Sequence, residues 1–339
     1  MKKIPGTFVS PILISMSLMM LVLTSTAQKS SWRIVSDTAR REASIFQGKQ
    51  LFTRFIYPDS LAKPVLYPVY SSSGQRITRG FPLQPVEGDP KDHPHHLGIW
   101  MNFENVNGLD FWNNSFAIPA ANKHRYGWIW TKNVTSSGSG KQASLSYQAT
   151  WANQAKETLL EEKTDFIFSG SGHTRIIDRT TTLTAVQEVL FKDAKDGLMA
   201  IRVRPELQLP DTSSKANNSR ATGNYLTSEG KKGNDAWGTR AKWCVLFGKL
   251  GKDSISIAFI DHPKNPGYPA YWHARDYGLF SINPLGQHIF SNGSETLDLT
   301  LKSGESATFR YRIIINDDKR LLSPAELDQL SEGFPEPVK

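Results

Sequence analysis

The sequence predicts an all-β fold, a large antiparallel β-sandwich with a short C-terminal helix. Three observations carry that expectation. Stretches of alternating apolar and polar residues recur along the chain, the period of a half-buried strand. One segment alone has a clear helix start: Ser323 as N-cap, Pro324 in the first turn and Glu326 placed for a capping box. The single cysteine, Cys244, permits no internal disulfide. Stability must then come from a core, which a mature chain of about 310 residues is long enough to bury.

The elements follow in order. Trp32 to Val35 reads as a short strand. Gln50 to Tyr57 reads as a strand covered on both sides, with Phe52 and Ile56 on one face and Leu51, Phe55 and Tyr57 on the other. Lys63 to Leu83 reads as two strands joined by a Ser-Ser-Gly turn. From Trp128 to Arg204 strand follows strand. Leu145, Tyr147 and Ala149 alternate with polar neighbours, Thr158–Phe168 and the threonine-rich Thr174–Ala185 are long β candidates, and Glu188–Phe191 and Leu198–Arg204 flank a turn closing on Asp196-Gly197. Pro210 to Gly238, rich in Ser, Asn, Lys and Gly, reads as a long surface loop. Strands resume at Ala241–Phe247 and Ser254–Ile260. Asp261 to Gly286 reads mostly as loop. Leu297, Leu299 and Leu301, then Phe309, Tyr311 and Ile313, read as an amphipathic hairpin.

The first 27 residues have the form of a secretory signal peptide: Lys2 and Lys3, an apolar run from Ile12 to Leu23, and small residues Ser25-Thr26-Ala27. The expectation is an exported, periplasmic protein made of one sandwich domain over residues 28–339, with no membrane span and no lipid anchor. Lys and Arg exceed Asp and Glu by 40 to 32, a net charge of +8 that falls to +6 without Lys2 and Lys3. The basic residues are dispersed, which fits a solvated surface and not a nucleic-acid partner. No phosphate-binding loop, dinucleotide fingerprint or nucleophile elbow is present, so kinase, dehydrogenase and serine-hydrolase readings fall.

Chemistry concentrates in two places. Asp92-His93-Pro94-His95-His96 holds three of the eight histidines and runs on through Trp100, Glu104, Asn107 and Asp110 to Trp112. Downstream stand Asp261-His262-Pro263 and Trp272-His273-Ala274-Arg275. The two segments are expected to meet in one polar, aromatic-walled site. In an extended segment His93 and His95 would share one face and His96 the other. Imidazoles give or take protons near neutral pH. His95, His96 and His273 are therefore the candidate proton carriers, with Glu188 or Asp261 as carboxylate partner and Glu104 and Asp110 also in reach. Trp100, Trp112 and Trp272 would stack on a sugar, Asn107 would bind it, and Arg275 would fix one of its oxygens. No cofactor is needed. The alternative is a divalent metal held by His93, His95, His262 and His273.

At these motifs the chain resembles a bacterial family of unknown function often labelled "methane oxygenase PmoA". The resemblance rests on the histidine stretch with Gly98 and Trp100, on Asp110-Phe111-Trp112, on Asp193 to Leu198, on Ala241-Lys242-Trp243-Cys244 and on Asp261 to Gly286. It implies carbohydrate metabolism and a functional link to sugar oxidoreductases. A looser resemblance, in length, strand density and the terminal alternating runs, is to the galactose mutarotase-like supersandwich. It implies that fold, with a histidine acid and a glutamate base acting on a sugar ring. The aldose epimerase motifs are absent, so no residue carries over.

Three functions follow as expectations. The first is an exported enzyme acting on a sugar or glycoside by His/carboxylate acid–base chemistry. The second is a metal-dependent lyase or hydrolase of keto-glycosides. The third is a non-catalytic glycan-binding protein.

Overall fold

The computed structural model describes residues 31–138, 140–210 and 220–334, together with 1, 2 and 6. The segment read as a leader falls, save for those last three residues, outside this set. Among the described residues the chain opens with β1 (Trp32–Asp37), β2 (Glu42–Gln47), β3 (Gln50–Ile56), β4 (Val65–Val69) and β5 (Ile99–Met101). Then come β6 (Trp128–Ser137), β7 (Ala143–Ala152), β8 (Thr158–Ser169), β9 (Thr174–Ala185), β10 (Val189–Phe191) and β11 (Met199–Arg202). β12 (Asn224–Thr227), β13 (Trp243–Leu250), β14 (Asp253–Asp261), β15 (Tyr271–Ala274) and β16 (Leu279–Asn283) follow. The helix α1 (Gln287–Phe290), β17 (Leu299–Leu301), β18 (Ser306–Asn316) and α2 (Pro324–Ser331) end it.

Two eight-stranded antiparallel sheets form the body. The first has the order β1-β2-β3-β4-β5-β11-β16-β15 and the second β12-β13-β14-β18-β9-β8-β7-β6. Their inner faces meet ring to ring. Phe52 of β3 lies edge-on to Phe168 of β8 at 6.3 Å, and Phe55 of β3 stacks on Tyr147 of β7 at 4.8 Å. Phe52 and Phe55 were expected on opposite faces, and an irregularity in the β3–β4 register between Thr53 and Phe55 accompanies their sharing one. Each such ring, removed from water, contributes about 1.5–3 kcal/mol. The all-β sandwich expected from strand periodicity is the fold found.

One acidic group sits inside this core. Glu162 of β8 accepts hydrogen bonds from the Tyr147 hydroxyl, the Trp151 indole, Thr164 and Arg179. Every partner is itself buried. The charge is therefore fully paired, as a buried carboxylate must be.

The two outer faces are covered differently. On the second sheet, α2 lies with Leu327 against Trp243, Val245, Ile260 and Ile314. Its start is the expected capping box, Ser323 and Glu326 each accepting from the other's backbone N–H. On the first sheet the cover is loop, from the segments β4–β5 and β5–β6. Among the described residues no helix is long and apolar enough to cross a membrane.

Three local expectations are corrected. The stretch 261–286, read mostly as loop, contains β15 and β16, which pair with each other over Tyr271–Asn283. The two terminal alternating runs do not form a hairpin: β17 pairs with β10, and β18 lies between β14 and β9. An apolar face records that a strand is half-buried and not which neighbour completes its ladder. Of the stretch 210–238, residues 211–219 lie outside the described set, and Asn224–Thr227 is strand β12, paired with β13.

Candidate functional site

The site is built on the outer face of the first sheet. Across β5, β11, β16 and β15 the register aligns Trp100 with Ala200, Ala200 with Ser281, and Ser281 with His273. Residues directly opposite share a face, so these four form one row, with Trp100 and His273 about 14 Å apart across three strand spacings. The two central positions are small. Ser281 donates its hydroxyl proton to the carbonyl oxygen of Gly197, and a Cβ at Gly197 would stand 2.4 Å from the Phe103 ring.

The histidine stretch lies over one end of this row, and it is a turn, not an extended segment. The His96 amide donates to the His93 carbonyl at 3.0 Å, and His93 adopts φ 45°. That conformation is uncommon for a residue with a side chain. The buried Arg79 guanidinium holds it in place by donating to the carbonyls of Asp92, His93 and His96. In consequence His93 and His96 do not fall on opposite sides. Their rings stack in parallel at 4.8 Å. Tyr277 stacks on the outer side of His93 at 5.1 Å and Trp100 lies under His96 at 5.2 Å, which makes a column of four rings.

One carboxylate ties the turn to the sheet. Asp92 accepts from Arg79 at 2.7 Å, from Arg202 of β11 through both its oxygens at 2.9 Å, and pairs with the His93 ring at 2.5 Å. Burial alone would raise this carboxyl. The His93 and Arg202 hydrogen bonds and the two guanidinium charges outweigh it and hold Asp92 well below the usual range. Arg202 also donates to His96 Nδ1 at 2.9 Å, so the proton of that neutral ring resides on Nε2.

From the column, ring contacts, hydrogen bonds and charge–charge interactions link the residues of a rim. His93 meets His95 edge-on at 5.6 Å. His95 feels the charge of Lys63, and Lys63 that of Asp110. Glu104 feels Asp110 and accepts from the Asp196 amide at 3.1 Å. Asp196 stands 3.5 Å from His273 Nδ1. Arg275, which acts on His273, lies over Tyr277 at 5.5 Å and completes the circuit. His95, Glu104, Asp110, Asp196, Arg275 and Tyr277 are half-buried, so the rim reaches solvent.

Its electrostatics are divided. Burial, then the Lys63 charge, pushes His95 down to about 2; burial, then Lys195 and Arg275, pushes His273 down to about 3. Both imidazoles stay neutral at physiological pH. Burial raises the carboxyls of Glu104, Asp110 and Asp196. The charge of Asp196 raises Glu104 further, and that of Asp110 raises both Glu104 and Asp196. Lys63 is fully buried, donates to the Trp112 carbonyl at 2.9 Å and lies against the Trp100 and Trp112 rings. Burial lowers it to about 7. Such an arrangement sets neutral hydrogen-bonding rings beside carboxyls whose protonated form burial favours.

Residues 42–332 match the model of a family of unknown function, DUF6807. The chain belongs to that family. Among curated proteins none matches its sequence. Solved structures similar to it include the galactosidase domain of the α-galactosidase-sucrose kinase AgaSK, at TM-score 0.45 and 9% identity over 85% of this chain and 42% of that one. Another is the GH36 α-galactosidase AgaB of Geobacillus stearothermophilus, at 0.41 and 11% over 84% and 41%. A third is the Slr1438 protein of Synechocystis, at 0.32 and 11% over 85% and 96%. The chain thus spans about two fifths of the α-galactosidases it matches. Likeness of this degree transfers no activity and no residue role.

Within this DUF6807 chain the expected site residues separate. His93, His95, His96, Trp100, Trp112, His273 and Arg275 come together, with Glu104 and Asp110, but Trp100 and Trp112 are fully buried beneath His96 and Lys63 and present no face for the sugar stacking expected of them. Trp272 does not: it points into the core against Phe280, its indole donating to the Ala241 carbonyl. Neighbours in a strand face opposite ways, so Trp272 and His273 cannot both face the site. Glu188 is exposed beside the β10–β17 ladder, where its carbonyl accepts from the Asn107 amide; Asn107 also accepts from Leu190 and serves that ladder. Asp261 ends β14 of the other sheet, fully buried, bonded to Asn265 and the Ala270 amide, and pushed by burial up to about 7. His262 packs edge-on against Phe334. The proposed ligand set of His93, His95, His262 and His273 is therefore not assembled, and among the described residues no three such side chains stand together for a metal. Lys63, Arg79, Asp196, Arg202 and Tyr277 are absent from the site residues expected from sequence. Asp196 lay in a segment read only as a turn. A lone lysine between two apolar strands was the one signal for Lys63.

Proposed function

We propose that this is an exported enzyme acting on a sugar or glycoside by acid–base chemistry at the rim on the first sheet. One observation carries the reading: Glu104, Asp110 and Asp196, raised by burial and the first and last also by neighbouring carboxylates, share a solvent-reaching rim with neutral His95, and Asp196 stands against the buried, neutral His273. A polyhydroxylated ring offers both hydrogen-bond donors and acceptors, which neutral imidazoles can engage without charge. The apolar faces of such a ring suit the half-buried Tyr277 phenol at the rim. In this mechanism Asp196 and Glu104 exchange protons with the substrate. His95 orients its hydroxyls, the buried His273 positions Asp196, and Arg275 steadies a developing oxyanion.

The test is an NMR screen of sugars, glycosides and keto-sugars with the wild-type protein and the Asp196→Asn variant. Turnover of one of them, reduced about a hundredfold or more in the variant, is the expected result for loss of a general acid or base. Undiminished turnover in the variant sinks the assignment of Asp196. Binding without chemical change across the panel leaves a glycan-binding protein in place of an enzyme.

A further inference from the structure

On the far side of the histidine turn a cleft of about 430 Å³ opens, with Phe81, Leu83, Pro94, Leu97, Phe116 and Trp128 among its walls. We propose that this cleft receives the aromatic aglycone of a glycoside whose sugar ring sits at the rim. The inference rests on the reading of the rim as a sugar site and names the other half of the substrate.

Four observations support it. The cleft and the rim share a wall four residues long: Pro94 and Leu97 line the cleft, while His95 and His96 between them belong to the rim and its ring column. A ligand lying over the turn's solvent-facing edge, where His93 is exposed and Pro94 and His95 are half-buried, would reach both sides of that wall. The cleft volume falls in the range of about 300–1,000 Å³ typical of small-molecule pockets. Phe116 is 72% exposed, far beyond what packing asks of a phenylalanine, and it lines this cleft. The indole nitrogen of Trp128 is buried without a hydrogen-bond partner among the described residues, and an ether or phenolic oxygen would satisfy it.

The wall chemistry selects an aromatic group over a second sugar. A second polyhydroxylated ring would call for carboxylates and amides, yet no acidic residue lines the cleft, and the Asn114 amide already donates to the Gly127 carbonyl. Apart from Ser60, Ser115 and Lys123, what remains is apolar and aromatic surface, suited to edge or offset stacking.

The experiment is ¹⁹F NMR titration of the full chain with 4-fluorophenol and with 4-fluorophenyl glycosides, each compared with the methyl glycoside. Phe116→Ala is the variant, since the exposed ring supports no core. The expected result is saturable 4-fluorophenol binding weakened about fivefold or more in Phe116→Ala and unchanged in Asp196→Asn. The aryl glycosides should bind more tightly than their methyl counterparts. No phenol binding, or equal binding in Phe116→Ala, overturns the aglycone cleft. So does tighter binding of a disaccharide than of any aryl glycoside with loss of that preference in the variant. Failure of the sugar-site reading is seen separately, as phenol binding without any sugar dependence.

Discussion

Replacing Lys63 with methionine should stabilise the protein at pH 6 and destabilise it at pH 10. Lys63 is wholly buried, and its folded-state value of about 7 stands below the ordinary 10.5. The folded chain therefore binds fewer protons than the unfolded chain between these two values, and stability rises with pH across that window. A shift of about 3.5 units at about 1.4 kcal/mol each amounts to about 5 kcal/mol, present as a penalty below pH 7 and gone above pH 10.5. Methionine fills similar volume with no charge. It also leaves the Trp112 carbonyl without the Lys63 donor, which costs about 1–3 kcal/mol at every pH. The net expectation is a gain of about 2–4 kcal/mol at pH 6 and a loss of about 1–3 kcal/mol at pH 10. Urea unfolding of both proteins at pH 6, 8 and 10 measures it. A variant destabilised equally at all three pH values would refute the reasoning, because the lysine would then be neutral or hydrated throughout.

Other expectations follow from the same geometry. Glu162→Ala strands Arg179, Tyr147 and Trp151 in the core and should cost about 3–5 kcal/mol, read as a lower urea midpoint; a loss under 1 kcal/mol would mean the network is replaced by water. His96→Ala opens the middle of the ring column and takes from Arg202 its His96 acceptor, leaving the Asp92 pair, so thermal unfolding should show a loss of about 2–4 kcal/mol. An unchanged melting temperature would show that the column bears no stability. Ser323→Ala removes the cap of α2 and should cost about 1 kcal/mol by the same melt.

The fold was legible because alternation is a local signal. Leu145, Tyr147 and Ala149 all face the core as their period requires. Pairing was less legible. The runs around Leu299 and Tyr311 are close in sequence and similar in pattern, yet their partners are β10 on one side and β9 and β14 on the other. The meeting of the histidine stretch with His273 and Arg275 was foreseen from residue type alone. Its cause is register: β11 and β16 stand between β5 and β15 with small residues in the shared row. The second Asp-His-Pro misled, since Asp261 staples a loop on the opposite sheet. Trp272 could have been set aside from sequence, as a strand that turns His273 outward must turn Trp272 inward. Lys63 could not have been found that way, because its chemistry arises wholly from what folds over it.

The bolting of the histidine turn by Arg79, Arg202 and Asp92 bears on how the molecule moves. Surface loops as a rule exchange their amide hydrogens quickly, since opening them breaks little. Here, releasing the His96 amide means parting a four-ring column and uncoupling two buried guanidinium groups from one carboxylate. That amide should exchange on the timescale of the central strands, orders of magnitude more slowly than its loop neighbours. A ligand arriving at the rim would then meet rings already in position and lose little conformational entropy in ordering them.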